Sequence, residues 1–407
     1  MKKQIKVGVV GCGYWGPNLV RNFRALPDCQ LKMMCDLSKP RLAHLRSIYP
    51  EVEGSSDYAH MLNGVGLDAV VIATAVKSHF PLARASLRAG KHTFIEKPLA
   101  SSSAECEELI DIAKKNGLVL MTGHTFLYSP AVKKIKEIVD SGAIGEIRYI
   151  SARRLNLGLF QQDINVAWDL APHDISIIQH LIGKPATVVN CQGKSHITAG
   201  IEDVTTMCLS FGQQHNAIIH NSWLDPRKVR EMTIVGSRRM IVYDDLAPLE
   251  KIRIYDTRIE EPPHNDTFGE FHYAYHYGDV SVPYIKQEEP LKVECQHFLD
   301  CIQEGNTPLT CGHAGLNLVR ILEASSESLK RGGAPVNLPF RPASKVRANR
   351  ERSVKVAVGI AVHVATARRD KVSSTPSGVG RPNGANSLLT SNSQAGNGFA
   401  TAKVCPA

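Results

Sequence analysis

The sequence lacks the features by which several classes of protein are recognised. Its ten cysteines include no Cys-x-x-Cys pair, and Cys295, Cys301 and Cys311 are not spaced as zinc ligands. No apolar run reaches the ~20 residues that a membrane-spanning helix needs, because the 354–367 stretch is shorter and contains Lys355. We therefore expect no metal site and no membrane partner, and we expect the cysteines to be free thiols in a reducing compartment.

Most of the chain also lacks a net charge. The formal charge of +9 arises after residue 340. This segment contains eleven of the 48 Lys and Arg residues and only two of the 39 acidic residues. The electrically balanced first 340 residues carry no basic surface of the kind that binds nucleic acid. The 341–407 segment is basic and ends in a stretch rich in Ser, Gly and Asn, which is typical of a disordered, low-complexity tail.

The amino-terminal residues are not expected to form a secretory signal. Met1, Lys2 and Lys3 are followed by the apolar stretch 7–10, which is too short for a signal core and ends in glycines. A cytoplasmic location is the resulting expectation.

Short apolar runs alternate with longer amphipathic stretches as far as residue 122. The strands are predicted at 5–10, 31–35, 68–73, 93–95 and 118–121, and the helices at 14–26, 40–48, 79–89 and 102–115. This alternation predicts an α/β fold, a Rossmann-type doubly wound parallel sheet with right-handed crossovers.

The pattern changes after residue 123 to many strands and few helices. The strands are predicted at 147–153, 188–191, 204–211, 217–223, 231–235, 240–243 and 252–255, and the helices at 130–140, 169–181, 295–304 and 315–330. A mostly antiparallel open sheet in an α+β domain is expected. The predicted domains are 1–123, 124–340 and the tail 341–407.

A glycine-rich turn joins the first strand to the first helix. In Gly11-x-Gly13-x-x-Gly16, the first glycine permits the tight turn, the second a close approach to a pyrophosphate, and the third close helix–strand packing. The helix N-terminus favours bound phosphate. The turn predicts a dinucleotide site, and the alternative is a turn of the same shape without a ligand.

An acidic residue ends the second strand. Asp36 lies 20 residues after Gly16, where a carboxylate accepts hydrogen bonds from the ribose diol and repels a 2′-phosphate. This favours NAD over NADP, although Lys39 and Arg41 nearby weaken the preference.

Three residues suggest proton transfer. Lys97 follows a strand at the carboxyl edge, where such sheets bind ligands; Pro98 keeps it out of the helical region. Asp169 and His173 are four residues apart and share one face of a predicted helix. Oxidation of an alcohol needs a base for the hydroxyl proton, and a neutral imidazole can serve. The alternatives are a solvated surface lysine and a local Asp–His pair that stabilises a helix start.

These motifs resemble the Gfo/Idh/MocA oxidoreductase family over roughly residues 4–338. The resemblance rests on Gly11–Gly16, Glu96-Lys97-Pro98 and Asp169-Leu170-Ala171-Pro172-His173. It implies a Rossmann domain followed by an open sheet that holds substrate and makes oligomer contacts. Lys97 and His173 would be catalytic and Asp169 would bind substrate. Ala75 and Ala171 depart from the usual proline and glycine. The residues implied to bind NAD are Gly11, Gly13, Tyr14, Trp15, Gly16, Asp36, Thr74, His79 and Glu96.

Further stretches are similar to a sugar-nucleotide branch of the family, the UDP-N-acetylglucosamine and UDP-N-acetylglucosaminuronate 3-dehydrogenases. They are 13–18, 123–128, 168–174, 277–279, 289–291 and 294–298. A nucleotide sugar needs basic or polar contacts. The candidate substrate residues are His124, Tyr128, Arg153, Arg154, Asn156, Asn165 and Trp168. The alternative for the two arginines is an exposed sheet face.

The branch implies NAD-dependent oxidation of the C3 hydroxyl of a UDP-N-acetylhexosamine. The 3-keto product would then be transaminated in cell-envelope biosynthesis, of lipopolysaccharide or lipid A. A homodimer or homotetramer is expected. Two alternatives stay open, a dehydrogenase of a free sugar or inositol and an NAD-binding sensor without catalysis. N-acetylglucosamine and its uronic acid are not distinguished.

Overall fold

The fold is described from a computed structural model, which covers residues 4–64, 66–260 and 274–339. These residues form part of one compact unit. The predicted tail 341–407 lies outside them, so its predicted disorder is not addressed.

Within the described ranges, no cluster of His, Cys, Asp or Glu side chains is arranged to hold a metal ion. No described helix combines the length and apolarity required to cross a membrane. Eight of the cysteines are free thiols, as expected, whereas Cys311 is disulfide-bonded and departs from that expectation.

The first domain contains a six-stranded sheet in the order β3-β2-β1-β4-β5-β6, with every neighbouring pair parallel. The strands are β1 Ile5–Val10, β2 Cys29–Cys35, β3 Glu53–Ser55, β4 Ala69–Ile72, β5 His92–Glu96 and β6 Leu120–Gly123. The helices are α1 Gly16–Ala25, α2 Lys39–Ile48, α3 Tyr58–Gly64, α4 Val76–Arg88 and α5 Ser103–Lys115. The doubly wound sheet is confirmed. Its strand order reverses between β1 and β4, which is where such sheets bind ligands.

The second sheet has nine strands in the order β14-β13-β12-β11-β7-β10-β9-β8-β15. Its strands are β7 Ile147–Leu157, β8 Val188–Lys194, β9 Val204–Phe211, β10 His215–Ser222, β11 Leu224–Gly236, β12 Met240–Asp244, β13 Ile252–Glu260, β14 Ala274–Ser281 and β15 Val336–Asn337. All described pairs are antiparallel except β7 with β10, so the predicted mostly antiparallel sheet is confirmed.

Four helices and one short 3-10 helix complete the described residues after 123. They are the 3-10 helix Thr125–Tyr128 and the α-helices α6 Pro130–Asp140, α7 Val166–Ile182, α8 Pro290–Glu304 and α9 Gly312–Lys330. One face of the sheet packs against α7, because alternate residues Ile150, Ala152 and Arg154 of β7 are buried while the residues between them are more exposed.

The helices α8 and α9 also pack against the first domain. Phe298 of α8 meets Phe94 of β5 and Phe23 of α1, with ring centroids 5.7 and 6.3 Å away. In α9, Gly315 permits a close approach to β6, since a Cβ atom there would lie 2.6 Å from Thr122 Oγ1. One continuous apolar core therefore spans both sheets.

Candidate active site

At two positions of the glycine-rich turn between β1 and α1, any side chain would clash with the backbone. Gly11 has φ +95°, and a Cβ atom on it would lie 2.6 Å from Ala73 O. A Cβ atom on Gly16 would lie 1.8 Å from Gly11 O. At Gly13, by contrast, a Cβ atom would meet just Arg41 Nη1, at 3.7 Å, so the backbone there faces open space. This shape fits a dinucleotide pyrophosphate.

Asp36 is held in place at the end of β2. Its Oδ2 accepts from Cys12 N at 2.6 Å, and its Oδ1 accepts from Ser38 N at 2.7 Å. Each carboxylate oxygen has capacity for a second hydrogen bond, so the residue remains able to accept from a ribose diol. Arg41 lines an adjacent cavity of about 380 Å³, so the basic residue that weakens the NAD preference does lie in this region.

The loop after β4 is joined to the segment after β5 by His79. Its Nε2 lies 2.9 Å from Thr74 O and its Nδ1 lies 2.9 Å from Pro98 O. Burial lowers the pKa of this imidazole below its usual value. Because both ring nitrogens face backbone carbonyls inside the protein, the contacts of His79 join the two loops.

Glu96 links the cofactor turn to the catalytic edge of the sheet. Its Oε1 accepts from Trp15 Nε1 at 2.7 Å. The carboxyl group fits because Gly123 has no side chain, since a Cβ atom there would lie 3.1 Å from the carboxyl atoms. Burial raises the pKa of Glu96 to about 7. Tyr14 is 88% exposed and makes no comparable contact among the described residues.

Lys97 and Asp169 meet although they are far apart in the sequence. Lys97 Nζ donates to Asp169 O at 2.8 Å and lies 3.5 Å from Asp169 Oδ1. The Lys97 side chain is 20% exposed. This arrangement excludes the solvated surface lysine, because a partly buried ammonium is held at the start of α7.

His173 lies one turn further along α7, on the same helix face as Asp169. Burial lowers its pKa well below the usual value, and the nearby cations Lys97, Arg154 and Arg230 lower it further. Its Nδ1 is buried without a hydrogen-bond partner among the described residues. The imidazole is therefore neutral at physiological pH and can accept a proton.

Two functional neighbours were not predicted from the sequence. Trp223 Nε1 donates to Asp169 Oδ2 at 3.1 Å across 54 positions of sequence. Phe126 packs against His173 with ring centroids 4.9 Å apart. No sequence spacing indicates either contact, because one depends on how α7 lies against the second sheet and the other on how α7 lies against the 3-10 helix Thr125–Tyr128.

Arg154 is committed to an internal ion pair. Its Nε and Nη2 donate to the two carboxylate oxygens of Asp174 at 3.0 and 2.8 Å, and both side chains are 5% exposed. Arg153 points to the opposite face of the sheet and donates to Glu231 at 2.7 Å. The structure thus does not bring Arg153 to the catalytic cluster, because successive strand residues face opposite sides.

Three other predicted substrate residues are occupied by structural contacts. Asn165 caps α7 by accepting from Trp168 N at 3.2 Å, and its Nδ2 donates to Glu202 at 2.8 Å. Trp168 Nε1 donates to Ser326 Oγ at 2.8 Å. Tyr128 is 2% exposed, and its hydroxyl lies 3.0 Å from Thr310 Oγ1.

His124, a predicted substrate residue, has an imidazole that the described residues do not engage in hydrogen bonding. Neither ring nitrogen has a hydrogen-bond partner among the described residues, although the side chain is buried. Burial, together with the charge of Lys97, lowers its pKa to about 4. Asn156 lies on β7 near Gly158 and is half-buried. Asn156 thus keeps polar groups accessible, whereas those of His124 are unpaired in the described interior.

Comparison with known proteins agrees with this geometry. The profile "Oxidoreductase family, NAD-binding Rossmann fold" matches residues 5–124, and the profile "GFO/IDH/MocA C-terminal domain" matches residues 132–242. The D-apiose dehydrogenase of Paraburkholderia graminis is 23% identical over 81% of this chain and 89% of its own. The myo-inositol 2-dehydrogenase of Thermotoga maritima is 26% identical over 54% of this chain and 68% of its own.

Among solved structures, UDP-N-acetylglucosamine 3-dehydrogenase GnnA from Acidithiobacillus ferrooxidans has a TM-score of 0.69 at 23% identity. The match covers 81% of this chain and 99% of GnnA, which shows a shared fold. The two family profiles together match more than half of the sequence. The matched ranges contain the glycine-rich turn and the Lys97–Asp169–His173 cluster. The chain belongs to the GFO/IDH/MocA oxidoreductase family, and its first domain is the NAD-binding Rossmann domain of that family.

Proposed function

We propose that this protein is an NAD-dependent dehydrogenase that oxidises the C3 hydroxyl of a UDP-N-acetylhexosamine, with UDP-N-acetylglucosamine as the first candidate. The observation that carries the proposal is the contact of Lys97 with Asp169 at the start of α7, one turn before the neutral His173. A cofactor-binding sensor needs no such proton-transfer groups. The arrangement therefore favours an enzyme.

The side chains divide the work of alcohol oxidation among them. His173 accepts the hydroxyl proton, because its imidazole is neutral and has a nitrogen without a protein partner. The Lys97 ammonium stabilises the negative charge that develops on the oxygen. Asp169, held by Trp223, fixes Lys97. The nicotinamide, when bound, supplies the hydride acceptor. The Glu96–Trp15 contact holds the glycine-rich turn against the carboxyl edge of the first sheet.

Support for a nucleotide sugar comes from the stretches that resemble the sugar-nucleotide branch, such as 123–128 and 168–174. The structural neighbour GnnA acts on UDP-N-acetylglucosamine by name. The 3-keto product would suit an aminotransferase of lipopolysaccharide or lipid A biosynthesis. The second candidate, a dehydrogenase of a free sugar or inositol, is favoured by the D-apiose and myo-inositol dehydrogenases among the relatives.

The experiment that separates these candidates follows NAD reduction by absorbance with three compounds in parallel: UDP-N-acetylglucosamine, its uronic acid and myo-inositol. An aminotransferase and its amino donor are added in a second series. They remove the 3-keto product and so draw an unfavourable oxidation equilibrium forward. A rate with a nucleotide sugar supports the proposal. A rate with inositol alone replaces it by the second candidate. Binding of NAD without turnover in either series indicates a sensor.

A further inference from the structure

Two arginines lie side by side next to the catalytic histidine. Arg154 on β7 and Arg230 on β11 are directly opposite each other in the antiparallel pairing. Both guanidinium groups flank Phe126, with their central carbons 4.6 and 5.8 Å from the ring centroid. The same ring contacts His173. The two cations therefore share the wall of the site on which the catalytic imidazole packs.

Arg154 and Arg230 differ in how many of their N–H groups make hydrogen bonds. Arg154 is buried and bidentate with Asp174. Arg230 is 35% exposed and makes one hydrogen bond, from Nη1 to Asp245 Oδ2 at 3.3 Å. Its other N–H groups have no hydrogen-bond partner among the described residues. Arg230 thus keeps a guanidinium edge available for a ligand, whereas Arg154 does not.

The partner of Arg230 is shared with other donors. Asp245 also accepts from the Tyr243 hydroxyl at 3.0 Å, and Lys251 Nζ lies 3.9 Å from Asp245 Oδ1 and donates to its backbone carbonyl. One carboxylate therefore faces two cations. The excess positive charge lies at the Arg230 end of the site, close enough to His173 to disfavour its protonated form.

We propose that Arg230 binds an oxyanion of the substrate, so that the site selects an anionic sugar over a neutral one. The oxyanion is either a carboxylate on the sugar ring or a phosphate on its anomeric oxygen, since a guanidinium edge matches both. This inference rests on the proposed function and names the feature of the substrate that the second domain recognises. It also gives a role to an arginine that the sequence motifs did not indicate.

The test is equilibrium binding by calorimetry to the full chain saturated with NAD, with the variants Arg230→Met and Arg230→Lys. Two matched ligand pairs are used: UDP-N-acetylglucosamine with its uronic acid, and glucose with glucuronate. Arg239→Met is the control, because Arg239 lies in the turn that follows β11 and pairs with Asp256. Circular dichroism checks that each variant is folded, and steady-state rates separate KM from kcat.

We expect Arg230→Met to weaken binding of the anionic ligand roughly 10- to 100-fold, the loss typical of a charged hydrogen bond. The lysine variant should recover part of it. A loss confined to the two uronic acids identifies a carboxylate as the bound group. An equal loss for both nucleotide sugars, with glucuronate unchanged, identifies the phosphate.

Two results would overturn the role of Arg230. One is unchanged binding of every anionic ligand in both variants. The other is a fall in kcat for all substrates with KM and binding unchanged, which would show that Arg230 merely supports Phe126 and His173. Absence of nucleotide-sugar binding by the wild-type protein would refute the proposed function instead, and the glucose–glucuronate pair would still test Arg230.

Discussion

Trp223 and Asp169 are joined by a hydrogen bond of 3.1 Å from the indole Nε1 to the carboxylate Oδ2. The other carboxylate oxygen lies 3.5 Å from Lys97 Nζ. Asp169 is therefore held from two sides, by a neutral donor from the second sheet and by a cation from the first domain. The Lys97 ammonium is positioned through this carboxylate as well as through the Asp169 carbonyl.

We expect Trp223→Phe to lower kcat by roughly 10-fold, since one hydrogen bond to a charged group is lost while the aromatic packing is kept. Steady-state kinetics and a thermal melt would separate this effect from loss of stability. The double variant Trp223→Phe with Asp169→Asn should be no slower than Asp169→Asn alone. Additive losses would show that Trp223 does not act through Asp169.

Lys97→Ala should lower turnover by at least about 100-fold. This is the loss typical of removing a group that takes part in acid–base catalysis. Binding of NAD, measured by quenching of protein fluorescence, should change little because Lys97 bonds to Asp169 and not to the glycine-rich turn. The matched variant Lys97→Arg keeps the charge but not the size, and should retain part of the rate. An unchanged rate in Lys97→Ala would remove Lys97 from the mechanism.

The buried His124 should make the protein less stable in acid. Its pKa is lowered to about 4 when folded, against 6.5 when unfolded, so the unfolded state binds more protons between these values. The free energy of unfolding then falls as pH falls from 6.5 to 4, by up to about 1.4 kcal/mol per pH unit for this group. Urea unfolding of wild type and His124→Gln should be measured across this range. The free energy of unfolding of the wild type, relative to that of the variant, should decrease as the pH falls. A pH-independent difference would contradict this origin.

The Trp15–Glu96 contact should be visible in fluorescence. Because the pKa of Glu96 is raised to about 7, the carboxyl group beside the Trp15 indole changes charge near neutral pH. We expect tryptophan emission to show a transition near pH 7. Both Glu96→Gln and Trp15→Phe should abolish it, whereas Trp168→Phe should leave it. Persistence of the transition in Glu96→Gln would assign it to another group.

The face of the second sheet opposite α7 should form an oligomer contact. Tyr149 and Ile218 on this face are 40% and 37% exposed on adjacent strands. We expect light scattering to show a homodimer or homotetramer, and Ile218→Glu to shift it toward monomer. Leu249→Glu, at an exposed loop position, is the control. A monomeric wild-type protein would contradict the prediction.

Local sequence patterns predicted the fold, and they predicted residues that the structure brings together at one site, Lys97, Asp169 and His173. The parallel sheet followed from apolar runs bounded by glycine, and Asp169 and His173 share a face because helical spacing is fixed. The pattern missed β3 and α3, which are short and bury few side chains. It also missed the full length of β7 and β11, because polar residues such as Arg154 and Arg230 interrupt their apolar pattern.

The substrate residues were harder to predict than the catalytic ones. Strand alternation shows that Arg153 and Arg154 face opposite sides, but it does not show which side meets α7. Asn165 and Trp168 lie beside the catalytic residues in sequence, yet their polar atoms serve the helix cap and α9. Arg230 enters the site through the register of β11 on β7, and Trp223 enters it from the bend between β10 and β11, so both depend on the whole sheet.

The aromatic contact of Phe23, Phe94 and Phe298 makes the two halves of the molecule thermodynamically dependent on each other. Phe23 and Phe94 belong to the first domain, and Phe298 reaches them from near the end of the described chain. Trp168, beside Asp169, packs against both apolar clusters, of which one spans the two sheets and the other joins the first domain to α9. Unfolding should therefore be one cooperative transition, and activity should disappear at the same denaturant concentration as secondary structure rather than before it.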